Sequence, residues 1–156
     1  LAHGVRATTG RLSATPGGSN VIPGVAAFSL DTRHRDKPAL DAYLAELTGQ
    51  LARIADEEGL TWDYAESYDI DPVPLDPDLQ KLFTELCEAS SISQQPMVSG
   101  AGHDAMALAP RVPAGMLFVP SHDGVSHAPA EYTSPEHCAL GADLLARAMA
   151  QLSTRA

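Results

Sequence analysis

Gly115-Met-Leu-Phe-Val-Pro120 is the stretch on which the fold turns. Four apolar residues in a row, closed by a glycine and a proline, read as a short strand buried on both faces, as strands of parallel sheets are. Upstream, Pro96-Met-Val-Ser99 is a second candidate strand. Leu79, Leu82, Phe83 and Leu86 recur on one face of a helix over 78–90. Downstream, Ser134-Pro135 suits an N-cap and first turn, and Leu140, Leu144, Leu145 and Leu152 continue that helix. Helix, strand, strand, helix suggests part of a parallel sheet covered by helices.

Further upstream, Pro72, Pro74 and Pro77 crowd the segment 69–77 together with Asp69, Asp71 and Asp76. Prolines so close together cannot sit inside a helix or a central strand, so this segment reads as a linker. Before it the pattern differs. Residues 4–13 and 25–30 read as strands, with turn signals at Pro16-Gly-Gly-Ser-Asn20 and Pro23-Gly24 between them. Leu40, Leu44, Leu47, Leu51 and Ile54 recur at helical spacing, with Pro38 in the first turn and Gly59 as a C-terminal cap. Residues 60–68, with Trp62 and Tyr64 among polar neighbours, read as another strand. The expectation is an α/β chain with two parts. Residues 1–70 form a small lobe of antiparallel sheet plus helix, and 71–156 belong to a parallel-sheet domain.

Composition bounds the partners. Hydrophobic residues make up 44% and charged residues 19%, too apolar for a disordered chain. Ten basic against twenty acidic side chains give a formal charge of -10, which argues against nucleic acid as a partner. No apolar run approaches the ~20 residues needed to cross a bilayer, so no membrane is expected. Cys87 and Cys138 stand far apart and outside any Cys-x-x-Cys pattern, as free thiols of a cytoplasmic protein would. The opening, Leu1-Ala-His-Gly, has neither an initiator Met nor a signal peptide and reads as the start of a fragment.

Chemistry gathers after the candidate buried strands, where open α/β sheets present ligand-binding loops. One loop carries His103-Asp104 behind Gly100-Ala-Gly102; the other carries His122 and, behind Gly124-Val-Ser126, His127. Glycines there let the backbone aim a side chain at a cleft. A His near a carboxylate can hold a metal or move a proton, but loop histidines are also commonly just solvated. No His-x-x-x-His or Cys-x-x-Cys spacing decides between these readings.

Ser99-Gly-Ala-Gly-His-Asp-Ala-Met106, Pro113-Ala-Gly-Met-Leu-Phe-Val-Pro-Ser121 and Gly124-Val-Ser-His-Ala-Pro-Ala-Glu131 resemble the hydantoinase/carbamoylase group of the zinc aminoacylase and carboxypeptidase peptidases. That group contains N-carbamoyl-L-amino-acid hydrolases, β-ureidopropionases and allantoate amidohydrolases. Gly10-Arg-Leu12, Ser19-Asn-Val-Ile-Pro-Gly24 and Phe28-Ser-Leu-Asp-Thr-Arg-His34 resemble its lid (dimerisation) domain, in the same order. The resemblance implies that residues 1–70 belong to the lid and 71–156 to the C-terminal part of the catalytic domain. It implies a metal-dependent amidohydrolase acting on linear amides, cleaving the carbamoyl (ureido) C–N bond of N-carbamoyl-L-amino acids or allantoate. His127 matches the last ligand of a two-metal centre, whose ions could be Zn, Mn, Co or Ni. Asn20 and Arg33 match lid residues that bind the substrate carboxylate, in the cleft of a neighbouring subunit of a homodimer. Arg offers a planar fork for that group and Asn an uncharged donor. His103, Asp104 and Ser126 match positions lining the site, His122 a variable loop position, and Glu131 a buttress of the loop or of the helix start rather than a proton-transfer group.

The departures are as informative. The group's remaining ligands, its catalytic glutamate and an oxyanion-stabilising His would lie upstream of Leu1. Glu57-Glu58 has the composition of a base-and-ligand pair but ends an amphipathic helix, in the wrong place along the chain. No catalytic residue is therefore assigned here, and the chain alone is expected to be inactive. The alternative is a non-catalytic dimerisation or binding module derived from the same group.

Overall fold

A computed structural model describes residues 4–154, so the chain's opening Leu1-Ala-His3 lies outside the described residues. The chain divides into two compact units, Leu1–Pro72 and Val73–Ala156. It is a mixed α/β segment.

In the first unit, β1 (Arg6–Thr15) and β2 (Val25–Arg33) form a two-stranded antiparallel sheet. The pairing runs from Thr15 opposite Val25, beside the connecting loop, to Arg6 opposite Arg33 at the far end. The register slips between Thr8 and Arg11, where the Ser29 hydroxyl accepts the Arg11 N–H at 3.1 Å. A side chain thus supplies an acceptor that the interrupted ladder does not. The loop closes with Gly24 N–H donating to the Thr15 carbonyl at 3.0 Å, and it turns inside 18–21 through Val21 N–H to the Gly18 carbonyl at 3.4 Å.

Helix α1 (Lys37–Glu57) starts behind Asp36 with a proline in its first turn, as the sequence predicts. Its end is a Schellman motif: Gly59, at φ 65°, donates to Asp56, and Leu60 donates to Ala55 at 2.7 Å. Leu40 and Ala55 are buried, Leu44, Leu47 and Leu51 half-buried, and Ile54 exposed. The third strand expected at 60–68 does not form. Those residues are all exposed and belong to no sheet.

In the second unit, α2 (Pro77–Ala89) begins with the Asp76 carboxylate accepting the Leu79 N–H at 2.9 Å. The last long helix, α4 (Pro135–Ser153), begins with Ser134 Oγ accepting the His137 N–H at 3.2 Å. These N-caps satisfy donors that a helix start leaves open. The two helices pack together and bury Leu82, Cys87, Leu144 and Ala148, with Arg147 donating to Ser90 Oγ at 2.7 Å across the contact. Between them in sequence come a single short helix, α3 (Asp104–Leu108), and a 3-10 turn at His122–Gly124.

The parallel sheet expected from 96–99 and 116–119 is not formed: the only sheet among the described residues is the β1–β2 pair. A strand needs a neighbour's donors and acceptors, and the described residues of the second unit include no strand to supply them. The apolar run is accordingly half-covered rather than buried on both faces, with Met116 and Leu117 half-buried and Phe118 and Val119 exposed. It nevertheless follows the helices closely. A Cβ on Gly115 would lie 3.1 Å from Leu79, and one on Gly141 of α4 would lie 2.6 Å from Val119 Cγ1.

Candidate functional site

The two His-bearing loops are built differently. In the first, Ser99 Oγ lies 2.8 Å from His103 Nε2 and accepts the Ala101 N–H at 3.2 Å. Ser99 thereby ties the glycine-flanked turn to the His103 ring. That ring also stands edge-on to Phe118, with centroids 5.5 Å apart at 65°. His103 is half-buried and precedes α3 as its N-cap, while the next residue, Asp104, is exposed in the first turn.

In the second loop, several bonds close the chain on itself between 120 and 133. His122 N–H donates to the Tyr132 carbonyl at 2.7 Å, Ser121 Oγ to the Val125 carbonyl at 2.5 Å, and Thr133 Oγ1 to the Pro120 carbonyl at 3.1 Å. His127 sits inside this loop with φ 56°, a left-handed backbone uncommon for a non-glycine residue. The Glu131 carboxylate accepts its N–H at 2.9 Å. That charge-assisted bond holds a backbone that would otherwise relax. Of the two supports the sequence suggested for Glu131, the loop or the helix start, this bond is to the loop. Ser126 and His127 are exposed, and among the described residues nothing bonds to the His127 ring. His122 is exposed as well and faces only its neighbour Asp123, at 3.2 Å.

On the hairpin, Asn20 is exposed in the loop beyond Thr15. Arg33 closes β2 and forms a two-point pair with Asp31: Nε to Oδ1 at 2.6 Å and Nη2 to Oδ2 at 2.9 Å. The Arg33 hydrogen bond holds the Asp31 carboxyl below its ordinary 3.8, and Asp31 in turn raises Arg33. Sequence reading passed over Asp31. The signal was present, since residues two apart share one face of a strand. Arg33 ends β2 opposite Arg6, and Asn20 lies in the loop beyond the Thr15–Val25 pair at the other end of the ladder.

A metal needs several donors. Among the described residues no three His, Cys, Asp or Glu side chains converge to hold one. His127 therefore stands as a single exposed imidazole. Cys87 is buried, Cys138 is exposed, and the two are unpaired. No described helix is long and apolar enough to cross a membrane.

Comparison with known proteins identifies the chain's family. Over 146 residues the chain is 40% identical to allantoate amidohydrolase from Escherichia coli, covering 94% of this chain and 36% of that enzyme. It is 34% identical over 152 residues to N-carbamoyl-L-amino-acid amidohydrolase from Paenarthrobacter aurescens, covering 97% and 37%. Among solved structures, AtUAH in complex with glyoxylate superposes with a TM-score of 0.87 at 30% identity, covering 96% of this chain and 36% of that one. The chain thus spans about a third of the length of the curated relatives it matches. Residues 4–151 match peptidase family M20/M25/M40, whose members are metal-dependent. The chain belongs to that family, as a partial homologue of its allantoate and N-carbamoyl-L-amino-acid amidohydrolases.

Proposed function

We propose that this chain supplies the lid-borne substrate contacts and one metal ligand of an amidohydrolase that cleaves the carbamoyl (ureido) C–N bond of N-carbamoyl-L-amino acids or allantoate. On this reading 1–70 is part of the lid and dimerisation domain, and 71–156 is part of the catalytic domain and its parallel sheet. The observation that carries it is the second loop. His127 is locked by Glu131 in a left-handed conformation, its ring exposed and unengaged, inside a motif shared with that group. An imidazole so presented fits one position of a shared zinc, manganese, cobalt or nickel site and cannot make a site alone. Bound there, a pair of divalent ions would supply Lewis acidity to the amide. The chain's own part is to present His127 at a defined place and to fix the substrate. Arg33 would pair with its carboxylate and Asn20 would donate to it. His103, Asp104 and Ser126 would line the cleft. That the AtUAH structures hold glyoxylate and (S)-hydroxyglycine supports a site for small carboxylates. The base that activates water would come from outside these residues.

The test is a full-length chimera in which this chain replaces the segment it matches in allantoate amidohydrolase from Escherichia coli. It should release ammonia from allantoate, and chelation should stop it. Arg33→Ala should raise KM about 10- to 100-fold, the equivalent of one hydrogen bond to a charged group at about 1.5–3 kcal/mol. His127→Ala should lower the metal content measured by plasma mass spectrometry. A folded, metal-loaded chimera that hydrolyses nothing would leave the chain as a non-catalytic dimerisation module.

A further inference from the structure

The ring of His103 is held by a hydroxyl from earlier in the same loop. Ser99 Oγ lies 2.8 Å from His103 Nε2, and both residues are half-buried. The same oxygen accepts the Ala101 N–H at 3.2 Å, which pins Ser99 itself to the turn. Its proton has two acceptors within reach, Nε2 at 2.8 Å and the Ala101 carbonyl at 3.4 Å. Hydroxyl bonds run at about 2.5–3.0 Å, so the proton goes to Nε2. A neutral imidazole carries one N–H, and the bond made by one ring nitrogen decides where that N–H sits. With Nε2 accepting, the neutral ring carries its proton on Nδ1. Phe118 stands edge-on to the ring, with centroids 5.5 Å apart at 65°, and restricts its rotation. Two neighbours therefore fix the orientation of His103, and Ser99 also fixes its tautomer.

We propose that Ser99 is a positioning residue of the amidohydrolase site. It keeps the neutral His103 ring protonated on Nδ1, so that His103 offers a substrate oxygen an N–H donor rather than a lone pair. This rests on the reading that His103 lines the cleft. A donor already held in place needs less ordering when substrate binds than one that must choose among rotamers and tautomers. Ser99 itself does not touch the substrate; it acts through His103 alone. A Ser99 that only supported the turn would act through its bond to the Ala101 N–H. The two roles differ in what they do to the ring.

Ring-nitrogen NMR shifts of the histidine-labelled chain, assigned with His103→Asn, read the tautomer at a pH where the ring is neutral. Nε2 should show the shift of an unprotonated nitrogen and Nδ1 that of a protonated one; in Ser99→Ala the two should become mixed. A neutral ring protonated on Nε2 would overturn the proposal. Kinetics in the chimera read the consequence. Ser99→Ala should lower kcat/KM for allantoate about 3- to 10-fold, the loss of one neutral hydrogen bond. Ser99→Thr, which keeps the hydroxyl, should restore most of it. In a His103→Ala background, Ser99→Ala should change nothing further, because a residue acting through another has no separate effect once that one is gone. An equal loss in both backgrounds would mean that Ser99 acts through the turn, which also overturns the proposal. Should His103→Ala leave kcat/KM unchanged in an active chimera, the reading of His103 as a cleft residue fails and the proposal with it. The ring shifts tell that failure apart from loss of the Ser99 contact, since they do not depend on activity.

Discussion

Asp31 and Arg33 show how much one side chain gains from a neighbour on the same strand face. An arginine alone samples many rotamers, and ordering it on binding weakens affinity. Asp31 holds the guanidinium at two points before any ligand arrives. Because both partners are partly exposed, the pair contributes modestly to stability. Its pH dependence has a definite sign. The folded Asp31 carboxyl lies below its ordinary 3.8, so whatever stability the pair contributes is fully present above that value and is lost as pH falls through the lower folded value. Following the Asp31 side-chain carbon by NMR should place its midpoint below 3.8 and, in Arg33→Ala, return it toward 3.8. A midpoint indifferent to Arg33→Ala would show that the pair is not formed in solution. Glu131 does comparable work on His127, through the backbone rather than the side chain.

Helix α4 and the apolar run 116–119 pack so closely that a single methyl group decides between them. Gly141 lies inside α4, where alanine would ordinarily be favoured by about 1 kcal/mol. Here the added Cβ would stand 2.6 Å from Val119 Cγ1, and a β-branched side chain has little rotamer freedom to move away. Overpacking of this kind costs about 1–3 kcal/mol, enough to outweigh the propensity gain. Gly141→Ala is therefore expected to lower the thermal midpoint, and Gly141→Ala combined with Val119→Ala to recover the gain. Thermal melts of the two variants decide it; a stabilised single variant would mean that the helix and the run do not touch as described. The capping of α4 by Ser134 is a separate local feature, worth about 1 kcal/mol against Ser134→Ala.

At the scale of the whole chain, the described residues leave much apolar surface uncovered. Val5, Leu40, Ala55, Leu82, Cys87, Leu144 and Ala148 are the buried hydrophobic residues, while Leu12, Ile22, Met97, Val98 and Met149 are each well exposed. Units of about 70 to 85 residues with so small a core have little stability in hand. Segments 96–99 and 116–119 have strand composition without strand partners, which fits a chain that spans about a third of its relatives. Their amides should exchange with solvent rapidly in the isolated chain and slowly in the full-length chimera, where a parallel sheet can form around them. Equal exchange in both settings, read by mass spectrometry, would remove these segments from any sheet.

What the sequence determined by itself was mostly local. Helices α1, α2 and α4 lie within a residue or two of where leucine spacing, prolines and Gly59 put them, because each helical hydrogen bond closes within four residues. The family was legible too, since its motifs are short runs in a fixed order. Strands 60–68, 96–99 and 116–119 were misread as formed because alternation and apolar runs report what a segment suits, while a ladder also requires a neighbour. The left-handed backbone of His127 and its bond to Glu131 depend on how the loop closes, which no residue spacing encodes. Only the tertiary structure decided the register of β1 on β2 and its slip between Thr8 and Arg11, because a ladder joins residues far apart in sequence.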